Sequence, residues 1–165
     1  MEQVHFVPEA TVRDKVISAF ELHGRWLKEL IPDCDVEHVG STAVAGTLTK
    51  GDLDILVLVT MEAFPCAEAR LAERLERNAP SWRSDVFSSF KDDAADPSLG
   101  VQLAVRGRAS EHFIRFRDML AAEPRLLAEY NSLKVQFDGG DMDSYRERKG
   151  EFIERALATR LLDQS

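Results

Sequence analysis

Apolar positions recur along this chain with two periods. In residues 8–31, Val12, Val16, Ile17, Phe20, Leu27 and Leu30 follow helical spacing, with Pro8 suited to an early helical position and Pro32-Asp33 to a stop. Residues 35–39 predict a short strand, and the small residues of 40–50 a turn with room for a short helix. Residues 52–59, Asp-Leu-Asp-Ile-Leu-Val-Leu-Val, are bounded by turn residues and predict a buried central strand. Helical spacing returns over 61–78, with many Glu–Arg pairs. Residues 82–90 and 99–106 predict two further strands separated by an Asp-rich loop. From residue 110 onward the pattern is helical in three pieces, broken near Pro124 and at Gly139-Gly140. The order predicts an α/β (α+β) fold, a mixed sheet of about four to five strands with helices packed on it and a helical C-terminal part. A length of 165 residues favours one domain over 1–165, with a sheet-containing core in 1–107 and C-terminal helices in 108–165.

Composition narrows the partners. With 44% apolar residues the chain can build a core without staples. A net charge of −8 disfavours nucleic acid as a constitutive partner. No apolar run approaches the ~18 residues of a membrane span, and the first residues lack a signal peptide's basic and apolar regions. A cytoplasmic protein is expected. Cys34 and Cys66 stand far apart and read as cytosolic thiols. His5, His23 and His112 form no zinc-type constellation with cysteine or carboxylate. Trp26 and Trp82 read as packing residues.

The chemistry concentrates in residues 36–59. Residues two apart on a strand share a face, so Asp52 and Asp54 point the same way, about 6.5–7 Å apart at Cα, while Leu53 and Ile55 enter the core. Paired carboxylates repel and titrate together, and a hard cation compensates them. Mg²⁺ fits, because it takes oxygen ligands and bridges carboxylates to phosphates. Upstream, Gly40 lets backbone approach a phosphate, and Ser41 and its amide neighbours can donate to phosphate oxygens. Alone, a Gly-Ser-Thr turn is usually a helix cap and an Asp-x-Asp pair a solvated strand end. Together they make a coherent nucleotide site.

Other residues carry two readings. His38 contacts phosphate or acts as a base, or is a hydrogen-bonded structural histidine. Lys50 neutralises phosphate or pairs with Asp52. Tyr130 and Lys134 share a helix face, as do Tyr145 and Lys149. The first pair can hold a base and a phosphate, with Lys134 the preferred contact and Lys149 left open. Otherwise the tyrosines pack between helices and the lysines snorkel.

Gly40-Ser41, ten residues, then Asp52-Leu53-Asp54-Ile55 resembles the signature of the nucleotidyltransferase superfamily that includes DNA polymerase beta. More closely, His38 to Thr42, Gly46, Lys50 and Asp54 resemble the GrpB family of small nucleotidyltransferase-like proteins. The likeness continues through Glu111, Phe116, Arg117, Asp118, Tyr130, Leu133, Lys134, Tyr145, Lys149, Phe152 and Ile153. It implies a nucleotidyltransferase-like fold with a nucleoside triphosphate (NTP) and Mg²⁺ site. Asp52 and Asp54 would be the catalytic, metal-holding pair. Gly40, Ser41, Thr42, Lys50, Arg117, Lys134 and Tyr130 would bind nucleotide and phosphate. Arg117 alternatively pairs on the surface with Asp118 or Glu111. The acceptor is unspecified, a small molecule or a protein. An accessory, nucleotide-binding role in protein folding is the alternative. Ala45 and Gly51 replace the family's prolines, and Asp52 a usually apolar residue. The superfamily's third carboxylate belongs on a later strand, where Gln102 and Ala104 are not acidic. Glu37 and Asp85 are the remaining acidic candidates.

Overall fold

The structure, a computed structural model, describes residues 2–107 and 111–162, the side chains of 160–162 excepted. The expected helix start at residue 110 and the last three positions of the C-terminal part lie outside these residues.

The chain opens with strand β1 (Val7–Pro8), a 3₁₀ turn over Glu9–Thr11 and helix α1 (Arg13–Leu30). Pro8 therefore sits in a strand rather than in the first helical turn. Ile31 and Pro32 end α1, and Asp33 takes a left-handed φ of 62° to reverse the chain. Strand β2 (Asp35–Val39), a 3₁₀ turn over Ser41–Ala43, short strand β3 (Leu48–Thr49) and strand β4 (Leu53–Val59) follow. Helix α2 (Phe64–Ala72) is shorter than its helical pattern, because Glu76–Arg77 turns into edge strand β5. Strand β6 (Phe87–Asp92) starts later than expected, and β7 spans Leu99–Val105. Helices α3 (His112–Ala122), α4 (Pro124–Phe137) and α5 (Met142–Leu162) complete the chain. Pro124 occupies the first turn of α4, where its missing N–H costs nothing.

The sheet order is β2-β4-β7-β6-β5, parallel between β4 and β7 and antiparallel elsewhere; β1 and β3 form a separate ribbon. One face of the sheet sends Leu53, Ile55, Val57 and Val59 into a core with Val16 and Leu27 of α1 and Phe64 and Leu71 of α2. On the other face Leu56 and Leu58 pack with Val39, Phe87 and Ala104 under Phe113 and Ile114 of α3. That second layer stops short of Asp54. No helix among the described residues is long and apolar enough to cross a membrane.

Candidate nucleotide site

Register sets the site. Val39 at the end of β2 pairs with Asp54 of β4, and Asp54 pairs in turn with Gly100 of β7. Residues paired across strands share a face, so Asp54 emerges on the α3 side between two glycines. A Cβ on Gly40 would lie 2.6 Å from Asp54 Oδ2, and one on Gly100 would lie 2.7 Å from Oδ1. Gly40 also adopts φ +78°, a conformation that an L side chain resists. The glycine bend is thus pressed against the carboxyl. Burial raises the Asp54 pKa above the usual carboxylate value; Lys149 opposes this and the Asp52 charge adds to it.

Two cavities meet at Asp54 and Gln102. A largely apolar one of about 180 Å³ has Ser41, Phe113, Phe116, Tyr130 and Lys149 in its wall. A polar one of about 520 Å³ has Lys50, Asp52, Lys91 and Arg146 in its wall. The second alone falls in the size range of small-molecule sites, about 300–1,000 Å³.

Of the residues singled out from sequence, Gly40, Ser41, Asp54, Arg117 and Tyr130 line the apolar cavity, and Lys50, Asp52 and Asp54 the polar one. Lys50 Nζ lies 2.7 Å from Asp52 Oδ2, with both side chains about a third exposed. Thr42 turns inward. Its hydroxyl donates to the Asp52 carbonyl at 3.0 Å and is therefore left to accept from His38 Nε2–H, also at 3.0 Å. His38 stacks on Phe20 and is held neutral: burial, then the Arg117 charge, lowers its pKa to about 4. The structural reading of His38 fits this geometry. Arg117 donates to Glu37 Oε2 at 2.7 Å, to the His38 carbonyl at 3.0 Å and to Asp118 at 2.8 Å. Burial acts first to lower its pKa, and the Asp118 and Glu37 carboxylates leave it raised overall.

The two lysines divide differently from the expectation. Lys134 is fully buried behind the turn. Its Nζ hydrogen-bonds the Leu48 carbonyl, lies 2.6 Å from Ser41 Oγ and sits 4.1 Å from the centre of the Tyr130 ring. It supports the turn at residues 40–42 from within. Lys149 faces Asp54 across the apolar cavity. Tyr130, Asp54 and Asp52 raise its pKa against the opposing cost of burial. Identical Tyr-to-Lys spacing marked both lysines, but only the crossing of α4 and α5 decides which reaches the cavity.

Asn131 escaped notice. One turn before Lys134, it accepts from the Leu48 amide at 2.8 Å and donates to the Gly46 carbonyl at 2.9 Å, clamping the same turn. Its place in Glu-Tyr-Asn-Ser-Leu-Lys is the available signal.

Among the described residues no third acid completes the pair. Glu37 is engaged by Arg117, and Asp85 is exposed on the approach to β6. Gln102 hydrogen-bonds Asp54 through its side chain and leaves Oε1 buried without a partner among the described residues. Among those residues no group of three or more His, Cys, Asp or Glu is placed to hold a metal.

A glycine bend set against a strand-borne carboxyl, on a mixed sheet of this order, defines the nucleotidyltransferase-like fold. The Cid1 poly(U) polymerase, in a mutant form bound to MgATP, shares it at a TM-score of 0.51 and 15% identity, over 79% of this chain and 42% of that one. The family described as GrpB protein matches residues 10–159, and the chain belongs to that family. A UPF0157 protein of Vibrio cholerae is 33% identical over 132 residues, 78% of this chain and 68% of that one. Glutamate-rich protein GrpB of Alkalihalophilus pseudofirmus is 30% identical over 135 residues, 74% and 76% of the two chains. The crystal structure of conserved protein GrpB from Enterococcus faecalis aligns at a TM-score of 0.70 and 22% identity, over 88% and 94%.

Proposed function

We propose that the protein transfers a nucleoside monophosphate from an NTP to a hydroxyl or phosphate acceptor with Mg²⁺. The observation that carries this reading is the contact of the Gly40 bend with Asp54, which sets phosphate donors beside a carboxyl raised in pKa by burial.

The donor set suits one hard cation. Asp52 and Asp54 offer carboxylate oxygens close enough for the Asp52 charge to raise the Asp54 pKa, and Mg²⁺ commonly takes one or two carboxylates with phosphate oxygens and water. Bound there, the ion would supply charge neutralisation at the phosphate. The chain's own residues do the rest. The Gly40-Ser41 turn faces the terminal phosphates, and Lys149 offers a fixed ammonium to developing negative charge. Lys134 and Asn131 hold the turn in place. Phe113 and Phe116 give the cavity an apolar wall, which disfavours water beside the reacting phosphate.

The test is pyrophosphate release from each labelled NTP with Mg²⁺ and a panel of acceptors. Release in the wild type and its loss in Asp54→Ala is expected. A second reading, an accessory nucleotide-binding module, is favoured by Gln102 standing where an acid would complete the pair. Mg²⁺-dependent nucleotide binding without pyrophosphate release from any acceptor set would select it.

A further inference from the structure

We propose that Ser41 is a nucleophile with Lys134 as its base, and that it takes the terminal phosphoryl group of an NTP bound in the cavity it faces. The electrophile rests on the nucleotide reading above; the nucleophile rests on the dyad alone.

The geometry has three parts. Ser41 is in the cavity wall, and Lys134 Nζ lies 2.6 Å behind its Oγ, sealed from solvent. Among the described residues no carboxylate forms an ion pair with Lys134; the charges that act on it are those of Lys149 and Lys50, both cations. An ammonium so placed has lost its hydration without gaining a counter-charge. Burial first, then those two lysines, brings its pKa down to about 6, so the free amine prevails at neutral pH. The contact between Lys134 Nζ and Ser41 Oγ is the proton's path: an ammonium donates to Oγ there, and a free amine accepts the Ser41 O–H there while one N–H still reaches the Leu48 carbonyl. The Tyr130 ring face, 4.1 Å from Nζ, is in position to stabilise the ammonium once a proton arrives.

The step balances within these groups. Ser41 Oγ bonds to the terminal phosphorus as the bond from that phosphorus to its bridging oxygen breaks. The nucleoside diphosphate leaves with the electron pair, and the Ser41 proton moves to Lys134 Nζ. The terminal phosphorus is the one that the proposed site places at Ser41. The groups facing Lys134 are Tyr130 on its own helix, Lys149 from α5, Lys50 from the turn before β4 and the Phe6 ring.

The full chain is incubated with a fluorophosphonate probe and, separately, with Mg²⁺-ATP, and the Ser41 peptide is weighed by mass spectrometry. Probe labelling of Ser41 should rise about tenfold per pH unit below pH 6 and level off above it. It should fall at least about tenfold in Lys134→Met. ATP should add phosphate to Ser41. If Lys134→Met does not fold, the wild-type pH profile decides. An unreactive Ser41, or labelling that ignores pH, overturns the dyad and leaves the nucleotide reading standing. Probe labelling with no phosphate from ATP overturns the phosphoryl transfer; if ATP also leaves the melting temperature unchanged, the nucleotide reading falls with it. A nucleotidyl adduct on Ser41 contradicts the choice of phosphorus.

Discussion

Ile55 and Asp54 are consecutive in β4, yet one side chain is sealed beneath α1 and α2 while the other stands where two cavities meet. On the sealed face each apolar side chain adds roughly 1.5–3 kcal/mol of burial. On the open face the sheet gives stability up: Gly40 and Gly100 leave space for one carboxyl, Gln102 Oε1 lacks a partner among the described residues, and Lys134 is buried without a carboxylate ion pair among them. Polar groups gathered at one end of one sheet face, against a mainly apolar opposite face, single out that end as the candidate site.

The largest break in this contrast should come from the sealed side. Ile55→Ala leaves a cavity and should cost about 2–5 kcal/mol in urea unfolding. The folded fraction should keep its response to nucleotide, because the deletion faces away from Asp54. Loss of that response would show that the two faces are coupled.

His38 should have the next largest effect, through pH. Its folded pKa of about 4 lies below the ordinary histidine value, so the unfolded chain takes up the proton first. Stability is therefore present above about pH 6.5 and is lost as pH falls towards 4, by at most about 3 kcal/mol. His38→Asn should flatten this slope between pH 7 and pH 4.5, and an unchanged slope would remove His38 as its source.

Gly40→Ala tests the close approach itself. The positive φ should cost about 1–2 kcal/mol, and the new methyl group displaces the Asp54 carboxyl. The melting shift produced by nucleotide should vanish although most of the protein remains folded. Lys50→Met should have the smallest effect on stability, under about 1 kcal/mol, because its pair with Asp52 is substantially exposed. Its effect should appear as weaker nucleotide binding, measured by calorimetry.

Much of this was legible in the residues, for reasons that also explain the misses. Strand β2 and the β4 run stood out because an apolar segment of strand length lay between turn residues, and parity put Asp54 opposite Ile55. The contact of Gly40 with Asp54 comes from the β2–β4 register, which pairs Val39 with Asp54, and not from the long connection between the strands. Residues 73–78 looked helical because their Glu–Arg spacing suits a helix surface. Arg77 instead pairs with Glu68 and donates to Ser88 across the sheet edge, a tertiary preference invisible in local spacing. Strand β6 extends through Lys91 and Asp92 because the β6–β7 ladder continues through them to Gly100 and Leu99, beside the polar cavity. Pro8 read as a helix start because its φ suits one, but its pairing with Leu48 is set from a distant part of the chain. The roles of Lys134 and Lys149 depended on how two helices cross, which equal sequence spacing cannot decide.

The most direct test of the central claim is the melting temperature of wild type and Asp54→Asn with and without Mg²⁺-NTP. Binding to the folded state stabilises it by RT ln(1 + [L]/Kd), so an upward shift in the wild type that requires Mg²⁺ and disappears in Asp54→Asn is the expected result. Equal shifts in both proteins, or none in the wild type with any NTP, would contradict a nucleotide site built on the Gly40 bend and Asp54.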